Sequence, residues 1–376
     1  VAFEVRPELR AVTPVPHGSV PPGDLLAGGL DPGTAIDFSV STNPLGPPPG
    51  AVAAVAALAT PGAGGATGIW RYPDPTARPL RQALAARLDV DPEAVVVGNG
   101  SAELIWSLAL TAARPAPESA LILGPTFGEY ARACQLLGAR LSLAVARAGD
   151  DFRPDVDALG ERIERERPRL VWLCNPNNPT GAYLAPPDVT RLLEACVAAG
   201  ALLVVDEAYL AFVDAPASLL DRLDSGHLFL LRSLTKDYGL AGLRLGYGVT
   251  TPALAAAVRL AQPPWSTGAP AQAAGLAALA DAGHLERART EVRRGRRRLV
   301  EGLSALGFRV TPPAANFVLF DVGDAVAFRA ALLARGCVVR DGTSFGLSGH
   351  VRAGVRTVPE CERLLAAVAA LEWRAG

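Results

Sequence analysis

The chain has no methionine and a single lysine, Lys236, although Lys and Arg together number 36 of its 376 residues. Arginine stands wherever a permanent positive charge serves. It cannot serve where chemistry needs a primary amine that loses its proton and attacks a carbonyl. A lone lysine is therefore either a leftover surface charge or a Schiff-base residue. The setting favours the second. Lys236 follows the apolar run from Leu228 to Leu231, sits behind the hydroxyls of Ser233 and Thr235, and precedes Arg244 in a glycine-rich turn. A lone amine with hydroxyls and an arginine suits an aldehyde cofactor that carries a phosphate, pyridoxal 5'-phosphate.

Other shortages exclude whole classes. The cysteines Cys134, Cys174, Cys196, Cys337 and Cys361 are odd in number and form no C-x-x-C pair. That argues against a disulfide framework and for reduced thiols in the cytoplasm. No metal site is expected. A formal net charge of −1 gives the chain no push toward nucleic acid or membrane. No apolar run reaches membrane-spanning length, the stretch from Ala51 to Ala59 being too short. No basic segment followed by an apolar core opens the chain, so no signal peptide is expected. Half the residues are hydrophobic and 19% are charged, a globular composition. The length fits two domains.

Three segments are expected: an arm over 1–50, a large cofactor-binding domain over 51–262 and a small C-terminal domain over 263–376. The arm is rich in Pro and Gly and lacks periodicity. A helix near 50–59, a glycine-rich loop and an amphipathic helix from Pro79 to Leu88 follow. Apolar runs at Ala94–Val97, Ala120–Leu123, Leu170–Leu173, Leu202–Val205, Leu228–Leu231 and Leu245–Val249 read as buried strands. Helical stretches at Ser101–Ala113, Tyr130–Leu137 and Pro187–Ala199 separate most of them. That alternation predicts an α/β domain with a mostly parallel sheet, whose ligands gather beyond the strands' carboxyl ends. A long helical region is expected over about 269–305. Its arginine run, Arg293 to Arg298, reads as a nucleic-acid patch or, more simply, as the solvated face of a helix. The end of the chain predicts a smaller α+β unit.

The polar motifs fall after the strands. Gly98-Asn-Gly-Ser-Ala102 lies between a strand and a helix, a common glycine turn or a phosphate site at a helix N-terminus. Asp206 closes a buried strand, where a carboxylate needs a partner such as a pyridinium nitrogen. An Mg²⁺ role is the alternative, but no P-loop precedes it. The loop Asn175-Pro-Asn-Asn-Pro-Thr-Gly181 holds half of the chain's six asparagines, which points to specified hydrogen bonds.

In this order the motifs N-P-N-N-P-T-G, D-E-A-Y and S-L-T-K…G-L-R-L-G-Y resemble the fold-type-I pyridoxal-phosphate enzymes, the aminotransferase class I/II family. His17-Gly, Asn43-Pro-Leu-Gly, Arg71-Tyr-Pro-Asp, Arg340-Asp and Ser344-Phe-Gly-Leu-Ser-Gly-His-Val-Arg352 are most similar to the branch holding histidinol-phosphate aminotransferase and threonine-phosphate decarboxylase. The resemblance implies the fold and the site. Lys236 would hold the cofactor and shuttle a proton at the substrate Cα. Asp206 would pair with the ring nitrogen, and Tyr209 and Asn178 with the ring oxygen. Phe127 would stack on the ring. Gly100, Ser101, Ala102, Ser233, Thr235 and Arg244 would hold the phosphate, with Tyr72 reaching in from the other subunit of a homodimer. Arg352 would clamp the substrate's α-carboxylate with a bidentate pair, with Arg340, His17 and Asn178 beside it.

The expected reaction is amino transfer at the Cα of a small phosphorylated or specialised amino acid. The runner-up is threonine-phosphate decarboxylation, and a ligand-sensing module is the reading from another class. The resemblance to the decarboxylases breaks at three places. Ser19 replaces the second glycine of H-G-G, Ser41 the first asparagine of S-A-N-I-N, and Gly268 the asparagine of P-W-S-x-N. The last two remove polar contacts expected in that enzyme's site.

Overall fold

The computed structural model describes residues 3–12, 14–27, 29–60 and 68–373; the glycine-rich loop expected after the first helix falls at 61–67, outside the described residues. Thirteen strands are assigned among them: β1 (Ile36–Asp37), β2 (Val95–Asn99), β3 (Ser119–Gly124), β4 (Arg140–Val145), β5 (Leu170–Cys174), β6 (Leu202–Asp206), β7 (Leu228–Ser233), β8 (Leu245–Val249), β9 (Val310–Thr311), β10 (Phe317–Asp321), β11 (Cys337–Val338), β12 (Arg340–Asp341) and β13 (His350–Gly354). Seven form the main sheet in the order β2-β8-β7-β6-β5-β3-β4. Only β8 runs against its neighbours. The α/β class and the mostly parallel sheet read from the sequence are what the molecule has.

Each central strand is apolar throughout because it faces two cores. Successive side chains of a strand point to opposite faces. Thus Val171, Leu173, Leu203, Val205, Leu228 and Leu230 enter one core. Their alternates Leu170, Trp172, Cys174, Val204, Phe229 and Leu231 enter the other. The first core is closed by the helices Arg78–Leu88, Val156–Glu166, Pro186–Ala199 and Ala269–Ala280. The second is closed by Gly100–Ala112, Glu129–Leu136 and Pro252–Leu260. By the same parity Asp206 shares the face of Val204 and Cys174, and this decides what surrounds it.

The smaller unit has the antiparallel sheet β12-β13-β10-β9 under the helices His284–Ala305, Ala325–Leu333 and Val358–Ala369. Its core is built around Phe308, Phe320 and Phe328, each edge-on to the other two. The arm joins this unit rather than standing free. Strand β1 pairs with β11, and Ile36 and Phe38 are buried in the same core.

Several details depart from the sequence reading. The arm carries the short helices Pro7–Ala11 and Pro22–Ala27. The region 269–305 is two helices, Ala269–Ala280 and His284–Ala305, divided where Asp281 accepts from the amides of Gly283 and His284. The arginine run is no basic patch. Arg293, Arg294 and Arg298 pair with Glu286, Glu291 and Glu362. Arg296 is buried and donates to the carbonyls of Phe212, Ala314 and Ala315. Among the described residues no helix is long and apolar enough to cross a membrane.

Candidate active site

A cavity of about 700 Å³ opens where β2, β5, β6 and β7 end. Its walls include Ser101 and Ala102 after β2, Asn178 after β5, Asp206 and Tyr209 around the end of β6, and Thr235 and Lys236 after β7. Phe127, Arg244, His17, Arg340 and Arg352 complete it. Motifs far apart in sequence meet because parallel strands deliver their carboxyl ends to one edge.

One end is built for an anion. Gly100 opens the helix Gly100–Ala112 at φ +75°, and a Cβ there would stand 2.7 Å from Arg244 Nη2. At Gly246 a Cβ would come within 2.4 Å of the Ser101 nitrogen. Two glycines thus let a helix N-terminus, with its free N–H groups, close on a guanidinium. The buried hydroxyls of Ser233 and Thr235 are bonded to each other. Thr235 faces the cavity, whereas Ser233 stands behind it.

The middle is acidic and tightly organised. Asp206 is buried, with Oδ1 accepting from Ala208 N at 3.0 Å and Oδ2 from Tyr130 Oη at 2.6 Å. Burial pushes its carboxyl up to about 6, against the pull of these two donors and of Lys236. Tyr209 is buried beside it, its phenol also pushed up by burial. The Lys236 amine is held down to about 8 by burial and by the cations Arg352 and Arg244. At neutral pH the neutral amine, the form that attacks a carbonyl, is still the minority, but far more of it is present than for an ordinary lysine. The arm fixes this lysine's backbone, since Asn43 N donates to Lys236 O at 3.0 Å and Asn43 Nδ2 to Asp237 O at 2.8 Å.

The far wall is cationic. Arg352 donates through Nη1 to Asn178 Oδ1 and through Nη2 to Ser39 O at 2.5 Å, while its buried Nε has no partner. Its neighbour Arg340 holds the arm, donating to Pro16 O at 2.9 Å, His17 O at 3.3 Å and Ser344 Oγ at 2.6 Å. Neither arginine is in an ion pair among the described residues. His17 stands at the edge, 5.9 Å from the Phe127 ring and 3.5 Å from Glu129 Oε1. Of the expected site residues, Gly100 and Ser233 back the cavity without lining it, and Tyr72 stands well away from it: it is 80% exposed and stacks on Trp265 at 4.6 Å.

Sequence reasoning gave no role to several groups here. Tyr130 is one, and Asn43 another. In the asparagine loop, Asn175 and Asn177 tie down the loop itself, through Leu184, Pro125 and Thr126, and only Asn178 turns to the cavity. Ser41, where the decarboxylases carry asparagine, lines the cavity with a buried hydroxyl that has no partner.

A lysine, a carboxylate on the sheet end and an anion cradle at a helix N-terminus define a pyridoxal-phosphate enzyme of fold type I. The aminotransferase class I and II family matches residues 34–368, and the chain belongs to it. Among its relatives is a histidinol-phosphate aminotransferase of Symbiobacterium thermophilum, 39% identical over 340 residues, or 89% of this chain and 90% of the relative. Another, from Anaeromyxobacter sp., is 39% identical over 331 residues, covering 87% and 88% of the two chains. The crystal structure of histidinol-phosphate aminotransferase from Sinorhizobium meliloti in complex with pyridoxal-5'-phosphate superposes with a TM-score of 0.84 at 26% identity, covering 99% of this chain and 98% of that one. The residues present fit the cofactor. The glycine cradle leaves room where a phosphate would lie, and an amine and a carboxylate line the same cavity. The protein is a pyridoxal-phosphate-dependent enzyme of the aminotransferase family.

Proposed function

We propose that the chain transfers the amino group of a phosphorylated amino-acid-like substrate, of the kind named for its relatives, histidinol phosphate, to a keto acid. The carrying observation is Arg352. A buried guanidinium without a carboxylate is costly to maintain unless an anion completes it, and this one lines the cavity that holds Lys236. Bound pyridoxal phosphate supplies an aldehyde for the substrate amine and a ring that draws electrons from Cα. The protein's part is binding, orientation and proton movement. Ser101, Ala102, Thr235 and Arg244, with Gly100 and Ser233 shaping the cradle, hold the cofactor phosphate. Phe127 covers the ring, Asp206 faces its nitrogen, and Tyr209 and Asn178 its oxygen. Lys236 Nζ would take the proton from Cα of the amino donor and, with the keto acid in its place, deliver one to Cα of the acceptor. Arg352, flanked by Arg340 and His17, binds the substrate's anion.

We also read the molecule as two structural units, the helix Ala269–Ala280 packing with the larger one through Ala271, Ala274 and Ala278. Five buried, unpaired cysteines fit a reducing, cytoplasmic setting.

The second reading, decarboxylation of O-phosphothreonine, is favoured by His17 at the cavity edge and opposed by serine at Ser41, which offers a shorter contact than asparagine. Incubation of the purified enzyme with each substrate separates the two. Amine loss from L-histidinol phosphate that depends on 2-oxoglutarate is expected. Carbon dioxide and aminopropanol phosphate from O-phospho-L-threonine, without a keto acid, would reverse the order.

A further inference from the structure

Asp206 is held by a tyrosine from another part of the sheet. Tyr130 Oη donates to Asp206 Oδ2 at 2.6 Å although 76 positions separate them. The ring has no room to turn away. It stacks on Trp172 at 4.9 Å with 11° between planes and meets Phe127 edge-on at 5.7 Å. Tyr130 and Trp172 are fully buried. One side chain thus touches both the aromatic that covers the cofactor ring and the carboxylate that faces it. With Ala208 N on the other oxygen, two donors fix the plane of the carboxylate, and each oxygen keeps a lone pair.

The groups facing Asp206 are Tyr130 from the helix Glu129–Leu136, Cys174 from β5, Glu207 and Tyr209 from its own loop, and Lys236 beyond β7. Burial favours the neutral acid and Glu207 adds to that, while the hydrogen bonds of Tyr130 and Ala208 and the charge of Lys236 favour the anion. A short O–H···O⁻ bond is among the strongest of these influences.

We propose that Tyr130 is a positioning residue, which keeps Asp206 ionised and aimed so that Asp206 holds a proton on the cofactor's ring nitrogen. The proposal rests on the reading of Asp206 as the partner of that nitrogen. Without the hydroxyl, Asp206 gains proton affinity and the ring nitrogen loses its counter-charge. Substrate contacts are untouched, so kcat falls while KM changes little. The loss of one charge-assisted hydrogen bond corresponds to a drop in kcat of about ten- to a hundredfold.

The test uses holoenzyme loaded with pyridoxal phosphate isotopically labelled at the ring nitrogen. The nitrogen NMR shift is followed from acid to alkaline pH in wild type, Tyr130→Phe, Asp206→Asn and the double variant. Wild type is expected at the protonated position across neutral pH. Tyr130→Phe is expected to move toward the unprotonated position, and the double variant to match Asp206→Asn, because Tyr130 acts through Asp206. A wild-type signal at the unprotonated position overturns the proposal without any variant, even should Tyr130→Phe not fold. An unchanged shift in Asp206→Asn sinks the reading of Asp206 itself. A shift that moves in Asp206→Asn but not in Tyr130→Phe sinks only the role of Tyr130.

Discussion

Because Lys236 is the chain's single lysine, borohydride reduction in the presence of pyridoxal phosphate has one side-chain amine to trap. The label is expected on the peptide that contains it, and Lys236→Ala should lose both the visible absorbance of the bound cofactor and nearly all turnover. Label on any other side chain would refute the assignment. The depressed Lys236 pKa of about 8 gives a second expectation. Attachment needs the neutral amine, so the rate at which cofactor-free protein takes up pyridoxal phosphate should rise through pH 8 and then level. Arg352 pushes that value down, so Arg352→Leu should move the midpoint to higher pH in stopped-flow absorbance. A midpoint that stays put would remove Arg352 from the lysine's surroundings. At this scale the sequence was legible where chemistry forces a residue type. A lone amine, a carboxylate after an apolar strand and a glycine turn each announce themselves locally. Tyr130 and Asn43 did not, because nothing beside them in sequence shows that they meet Asp206 and the Lys236 backbone.

Among the elements, strands buried on both faces were readable as apolar runs, and β4 was not. It is the outer strand of the sheet, reads Arg-Leu-Ser-Leu-Ala-Val, and leaves Leu143 and Val145 exposed. Such half-wet alternation gives no continuous run. The helix Val156–Glu166 escaped with it, although its buried Val156, Leu159 and Ile163 recur at helical spacing. These two elements are joined by side chains. Arg162 donates to Glu166 Oε1 at 2.7 Å, to Leu143 O at 2.9 Å and to Ser142 Oγ at 2.6 Å, and Ser142 donates to Glu166 Oε2 at 2.5 Å. Partial burial opposes ionisation of Glu166, yet the Ser142 and Arg162 hydrogen bonds outweigh it and hold the carboxyl below its ordinary value. A folded pKa below the unfolded one stabilises the fold above the unfolded value, about 4.3, and the gain is lost as pH falls through the folded value. Glu166→Gln should therefore cost about 1 kcal/mol at neutral pH in urea denaturation, with the difference shrinking toward acid. An equal cost at all pH would mean that packing, not charge, is what the side chain supplies.

For the whole molecule, the exposed aromatic turn sets the question. Tyr72 and Trp265 stack on each other in solvent, and Ile69, Trp70 and Leu260 are also exposed. Large apolar side chains so placed mark an interaction surface more often than a free one. We expect a two-fold dimer in which Tyr72 reaches the cofactor phosphate of the partner subunit, as the family resemblance implies. In such a dimer each active site takes Lys236 from one chain and Tyr72 from the other. Lys236→Ala and Tyr72→Ala proteins would then complement. In a hybrid dimer, the Tyr72→Ala chain keeps its own Lys236 and receives an intact Tyr72 from its partner. Refolding the two inactive proteins together in equal amounts should make half of the dimers hybrids, each with one whole site, and restore about a quarter of wild-type activity. Sedimentation reports the assembly and the activity of the mixture reports the sharing. If the mixture stays as inactive as its parts while sedimenting as a dimer, Tyr72 does not cross the interface. A fully active monomer would remove the interface altogether.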